Sequence, residues 1–174
     1  MTTPPIPTPD FATCDLCDTH KAGYAEGDGA FRVLPPVFHD YGARRKFCGP
    51  VVTVKCFEDN TPVKAAVESA GDGRVLVVDG GGSLRRALLG GNLGAAAAKN
   101  GWAGVVIDGA VRDAAELAAC DVGIRALALF PMPTDRKLPG QTGIPVLIQG
   151  VWVRPGDWLH ADADGIVVTP APAA

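Results

Sequence analysis

Arg112, Asp113 and Glu116 follow the apolar run Gly104–Ile107, and an earlier turn reads Gly90-Gly91-Asn92-Leu93. A guanidinium can grip a carboxylate through two parallel hydrogen bonds, which is the role open to Arg112. Asp113 and Glu116 are three positions apart, so on a helix they share one face of the first turn. Mg2+ typically binds through one or two carboxylates and keeps several waters. The same acids also suit a helix start with no function, because negative charge is favoured at the positive end of the helix dipole. Arg112 taken alone fits a structural ion pair, and the glycine turn taken alone is a plain turn. The turn nevertheless opens a helix whose free N–H groups can receive an anion, and glycine lets a ligand approach the main chain. An anion cradle, a carboxylate clamp and a hard-cation site are together what a small 2-oxo acid with a divalent metal requires. The expected substrate contacts are therefore Gly90, Gly91, Asn92, Leu93 and Arg112, with Asp113 and Glu116 at the metal.

Other motifs carry less. Asp79-Gly80-Gly81-Gly82 follows a strand-like run, but no G-x-G-x-x-G is present and no glycine turn ends in Gly-Lys-Ser/Thr. Dinucleotide and P-loop readings fail on that pattern. Ser83 has no evident histidine partner for a serine hydrolase. Cys14 and Cys17 form a C-x-x-C, yet no second pair or suitably spaced histidines complete a zinc set. A redox site would need a strand before the motif, where a proline-rich leader stands; the plainer reading is a helix turning one cysteine toward the core.

Alternating elements position these groups. Thr13–His20 reads as a short helix, Gly23–Asp28 as a loop and Phe31–Phe38 as an extended segment before a polar turn at Tyr41–Lys46. Cys48–Phe57 is a β-former run with Gly49-Pro50 at its start. Asn60 or Thr61 caps a helix with Pro62 at its first position, ending at Gly71–Gly73. Arg74–Val78 and Gly104–Asp108 read as buried strands, with Leu84–Leu89 an extension or a separate short element. Leu93–Asn100 is a helix stopped by Gly101, a further helix runs from Arg112–Asp113 to Ala119, and Ile124–Leu129 is a strand. Pro131–Pro145 is a long polar loop of the kind that is usually functional or partner-bound. Val146–Val153 and Ile166–Thr169 close the domain as strands. The alternation predicts a layered α/β sandwich with a mixed sheet, not a doubly wound nucleotide fold.

The chain has 174 residues, 47% of them apolar, and a net charge of −3. That suits one domain with a proper core, expected over residues 13–169 between a disordered leader at 1–12 and a tail at 170–174. The mild acidity offers no footprint for direct nucleic-acid contact. Residues 1–12 have no basic or apolar targeting segment, and the apolar runs are too short to span a bilayer. Five cysteines, an odd count, argue against a disulfide framework. A cytoplasmic location is the expectation.

Val52–Asn60, Gly73–Ser83 with Arg85-Arg86-Ala87-Leu88, Pro155-Gly156-Asp157 and Ala161–Gly165 resemble the RraA-like family over about Thr13–Thr169. Its members include the regulator of ribonuclease activity A and class II 4-hydroxy-4-methyl-2-oxoglutarate aldolases. One branch of that family carries D-x20-R-D and another G-x20-R-D-x2-E/D; here twenty residues separate Gly91 from Arg112, and Asp113 and Glu116 complete the second pattern. The resemblance implies an αββα fold of the swivelling type, assembled as a homotrimer with sites between subunits. It implies that Arg112 and the Gly90–Leu93 backbone bind a pyruvyl group, that Asp113 ligates Mg2+ or Mn2+, and that Glu116 supports the metal through water. The implied reaction is cleavage of a 4-hydroxy-2-oxo acid to pyruvate, with oxaloacetate decarboxylation. The alternative is inhibition of an endoribonuclease of the RNase E type by protein–protein contact, which needs neither acid. A menaquinone methyltransferase name attached to such sequences finds no methyl-donor motif here.

Overall fold

β-Branched residues concentrate in the runs that become the central strands, where both faces of a parallel ribbon must be apolar. The computed structural model describes residues 10–27 and 29–173. Its helices are α1 (Thr13–Glu26), α2 (Thr61–Val67), α3 (Gly91–Lys99) and α4 (Ala114–Ala118). The strands are β1 (Arg32–Val33), β2 (His39–Asp40), β3 (Phe47–Lys55), β4 (Val75–Asp79), β5 (Ala87–Leu89) and β6 (Gly104–Val111). They continue with β7 (Gly123–Leu129), β8 (Gln141–Thr142), β9 (Val146–Ile148), β10 (Val151–Val153), β11 (Trp158–Ala161) and β12 (Ile166–Thr169).

β3, β4, β6 and β7 pair in parallel, and the main sheet runs β1-β12-β11-β3-β4-β6-β7-β2, with antiparallel partners at both ends. β5 joins β6, and β8 joins β3. Strand alternation sends Leu76, Val78, Val105 and Ile107 toward α2, α3 and α4 in one core. Val75, Val77 and Val106 face the other way, onto Leu159, Ala161, Ile166 and Val168 of the curled-over β11–β12 limb and onto the β9–β10 hairpin. Behind that limb, Val167 meets Phe11, Leu16 and Phe31 in a third cluster that seats α1. The layers are thus helix, sheet limb, sheet, helices: a mixed, half-barrel α/β sandwich of the expected αββα kind.

Several boundaries differ from the expectation. α1 runs on to Glu26 because the left-handed residue that ends it is Gly27 (φ 74°), not Gly23. Its first N–H is satisfied from across the chain, Asp162 Oδ2 accepting from Thr13 N at 2.7 Å. Val146–Val153 is a hairpin, broken where Gln149 (φ 47°) and Gly150 (φ 82°) adopt left-handed backbone. β11 is a strand that the local pattern does not announce. Residues 1–9 of the expected leader lie outside the described residues; Phe11, also assigned to that leader, is buried edge-on against His160 at 5.2 Å.

Gly94 controls the distance between the two helices that carry the candidate site. A Cβ there would lie 2.8 Å from Leu117 Cδ2 and 3.3 Å from Cys120 Sγ. Gly94→Val should lower stability by about 1–3 kcal/mol through overpacking, measured by urea denaturation. An unchanged midpoint would show that α3 and α4 are not in tight contact there.

Candidate functional site

β6 delivers Arg112 to the rim of the sheet, Arg112 N donating to Leu89 O at 3.0 Å. The chain then turns sharply, with Asp113 in left-handed backbone at φ 62°, ψ 51°, a conformation that Asp tolerates better than most side chains. This corrects the expectation that Asp113 lies on the helix: α4 is five residues long, Asp113 is its N-cap, and the side chain makes no capping bond to it. The carboxylate instead reaches the start of α3, where Asp113 Oδ2 accepts from Gly91 N at 3.0 Å.

The two glycines make that approach possible. A Cβ on Gly90 would sit 2.6 Å from Asp113 Oδ2, and one on Gly91 would run into the Glu116 carboxylate. Glu116 therefore reaches the α3 terminus from α4, and with Asp113 it places two carboxylates beside the same glycine pair. One of the expected anion donors is already engaged, since Gly91 N–H is held by Asp113. Gly94 N donates to Gly90 O, and the N–H groups of Asn92 and Leu93 remain without an acceptor among the described residues. The cradle is narrower than the sequence suggested, because the Gly91 donor is taken.

Arg112 contacts Pro131 O through Nη1 at only 3.4 Å and stands 3.8 Å from Asp113 Oδ2. Its side chain is 38% exposed, so most of its donor capacity is open to a ligand. A cavity of about 290 Å³ opens here, lined by Gly90, Asn92, Leu93, Arg112 and Asp113. Asn60, Thr134, Asp135 and Arg136 also contribute to its lining. Glu116 flanks the cavity at Gly91 and does not line it. Among the described residues no group of three or more His, Cys, Asp or Glu side chains gathers as a cage. A cation at this site would rest on Asp113 and Glu116, with water completing a hard, all-oxygen set, and half-exposed Asp113 leaves room for those waters.

The contribution of Asn60 and the loop to the lining is not legible in the sequence, where Asn60 or Thr61 reads only as a helix cap. Asn60 is the N-cap of α2 but makes no side-chain capping bond; the preceding Asp59 serves the helix start instead, its Oδ1 accepting from Thr61 N at 2.9 Å and Thr61 Oγ1 at 2.7 Å. Its other oxygen accepts from Lys137 N and from Leu138 N, the latter at 2.8 Å, and so fastens the Pro131–Pro145 segment. Asn60 Nδ2 donates to Leu88 O at 3.0 Å, while Asn60 Oδ1 accepts from Thr134 Oγ1 at 2.7 Å and Arg136 Nε at 3.0 Å. The loop's unusual length was the signal that it does more than connect.

Burial pushes the Asp59 carboxyl up, but the hydrogen bonds from Thr61, Lys137 and Leu138 outweigh it and hold the group at about 2. A carboxylate depressed below its usual 3.8 stabilises the fold above that pH and loses the contribution as pH falls through about 2. Elsewhere, the Asp164 charge raises the Cys14 thiol and burial raises Cys17, so the C-x-x-C is not a thiolate pair at neutral pH. Asp79 is buried, faces Lys55 Nζ at 3.3 Å and accepts from Gly81 N at 2.9 Å, which gives the Asp79–Gly82 turn a structural role.

A family model described as RraA-like, Aldolase/RraA, matches residues 13–168. The chain belongs to this Aldolase/RraA family. A relative from Albidiferax ferrireducens, provisionally named a 4-hydroxy-4-methyl-2-oxoglutarate aldolase, is 69% identical, covering 92% of this chain and 96% of its own. The structure of the RNA-processing inhibitor RraA from Thermus thermophilis matches at a TM-score of 0.87 with 43% identity, covering 95% of this chain and 96% of that one. A structure described as an S-adenosylmethionine:2-dimethylmenaquinone methyltransferase, from Geobacillus kaustophilus, matches at 0.84 with 40% identity, covering 93% and 96%. No helix among the described residues is long and apolar enough to cross a membrane.

Removing the Asp59 clamp should release the loop without unfolding the core. Asp59→Ala is expected to speed tryptic cleavage after Arg136 or Lys137 by about tenfold or more, while wild-type protein keeps its protection down to about pH 3 in an acid-protease version of the assay. Equal cleavage rates in the two proteins would show that Asp59 does not hold the segment.

Proposed function

We propose that this protein is a divalent-metal-dependent lyase that cleaves 4-hydroxy-4-methyl-2-oxoglutarate, or a related 4-hydroxy-2-oxo acid, to pyruvate and decarboxylates oxaloacetate by the same route. The observation that carries this reading is the convergence of Arg112, Asp113 and the free Asn92 and Leu93 amides on one cavity. Its relatives' provisional name supports it.

Arg112 and the two amides orient the substrate carboxylate and 2-oxo group. In the retro-aldol step the C3–C4 bond breaks, the 4-hydroxyl loses its proton to become a carbonyl, and the bond pair stays on C3, delocalised into the 2-oxo group before C3 is protonated. In decarboxylation the same bond pair is left behind by departing CO2. Bound Mg2+ or Mn2+ supplies Lewis-acid stabilisation to that developing charge. Asp113 is the residue that would hold the cation directly, fixed for this by Gly91 N–H, and Glu116 would support it through water. Leu129 and Phe130 line a cleft with Arg112 and, like Met132 further along, are exposed; we assign these three side chains to contact with further copies in a homotrimer, a state light scattering would read.

Purified protein with Mg2+ should release pyruvate from oxaloacetate above the metal-only background, and EDTA should abolish the excess. Asp113→Ala should lower kcat/KM by about 100-fold or more with an unchanged far-UV spectrum; full activity in that variant would remove the metal role. The likeness to an RNA-processing inhibitor favours a second reading, endoribonuclease binding. Tight binding of such an enzyme, unaffected by Asp113→Ala and unaccompanied by turnover, would establish it instead.

A further inference from the structure

The cavity holds a second guanidinium for which cleavage to pyruvate needs no role. Arg136 lines the same cavity as Arg112 and Asp113. Its Nε donates to Asn60 Oδ1 at 3.0 Å, and that acceptor is itself fixed by Thr134 Oγ1 and by the bond from Asn60 Nδ2 to Leu88 O. Asn60 is buried, so the fork is aimed by a rigid support. The backbone at Arg136 is left-handed, with φ 53°, a conformation unfavourable for a long side chain unless its surroundings impose it. Among the described residues no carboxylate pairs with this guanidinium. The neighbouring Asp135, also at the cavity, lies beside Lys137 Nζ at 3.5 Å, with both side chains about three-quarters exposed.

We propose that Arg136 is a specificity-determining residue that binds a second, distal carboxylate of the ligand, so that the site selects dicarboxylic 2-oxo acids over monocarboxylic ones. The inference rests on the reading of the site as one for 2-oxo acids. Arg112 and the α3 amides take the carboxylate next to the 2-oxo group, and the far end of a short dicarboxylate then lies within the cavity that Arg136 also lines. A planar fork with free Nη groups suits that end. The Asp59 and Asn60 bonds to the loop set the spacing between the two guanidinium groups and hence the chain length accepted.

The test compares 2-oxoglutarate with 2-oxopentanoate, which has the same carbon chain but no distal carboxylate, by calorimetry in Mg2+ buffer. Neither ligand can undergo the retro-aldol cleavage, since neither carries a 4-hydroxyl. Wild-type protein should bind the dicarboxylate about tenfold tighter or more. Arg136→Met should remove that preference while leaving 2-oxopentanoate affinity unchanged, and Arg136→Lys should restore part of it. Arg136 is exposed, and an unchanged thermal midpoint in each variant confirms that folding is intact. No preference in wild-type protein, no binding of either ligand, or equal weakening of both by Arg136→Met would overturn the proposal. Selective binding by a protein that fails to cleave 4-hydroxy-4-methyl-2-oxoglutarate would overturn the lyase reading and leave the role of Arg136 standing.

Discussion

The bond from Gly91 N–H to the Asp113 carboxylate joins the start of α3 to the end of β6, and the site is organised around it. It requires that neither Gly90 nor Gly91 carry a side chain, because a Cβ on either would collide with Asp113 or Glu116. It also requires Asp113 to leave the strand in left-handed backbone, so that the carboxylate turns away from its own helix. The electrostatics are favourable, as the positive end of α3 receives negative charge where two carboxylates would otherwise repel. A divalent cation between those carboxylates and a ligand would relieve the same repulsion.

The fold supplies this geometry through close packing. α3 and α4 lie on the same face of the parallel strands, over Val78, Val105 and Ile107, and Gly94 lets them approach. Another part of the lining comes from a distant stretch of the chain, fastened by Asp59 and Asn60 at the start of α2. The cavity is therefore assembled from four segments, Asn60, Ala87–Leu93, Arg112-Asp113 and Pro133–Arg136, which meet beyond the ends of β3, β5 and β6, where open α/β sheets gather their ligands.

Asp59 and Asn60 have two duties, and this affects how a sequence can be read. A polar pair before Thr61-Pro62 is sufficiently explained by helix capping, and Asp59 does serve the start of α2 with one oxygen. Nothing local indicates that its second oxygen holds residues 137 and 138, or that Asn60 aims Arg136, since those partners lie more than seventy residues away. α1 is similar: Thr13 looked like an ordinary helix start, and its cap is Asp162.

The sequence by itself determined the central strands and the helices between them, and it marked Arg112, Asp113, Glu116 and the Gly90–Leu93 turn as candidates for a site. Those features are written in short-range patterns: β-branched runs, glycine turns and a twenty-residue spacing. It misjudged elements whose form depends on distant partners. β11 escapes a local reading because its four residues form a strand only between β3 and β12. The Val146–Val153 run reads as strand throughout, although left-handed backbone at Gln149 and Gly150 folds it into a hairpin. Only the tertiary structure decided that Asp113 faces α3 instead of capping α4, that one of the anion donors is already taken, and that Arg136 completes the cavity. Each of these depends on which atoms lie opposite one another across the packed layers, and no local spacing encodes that.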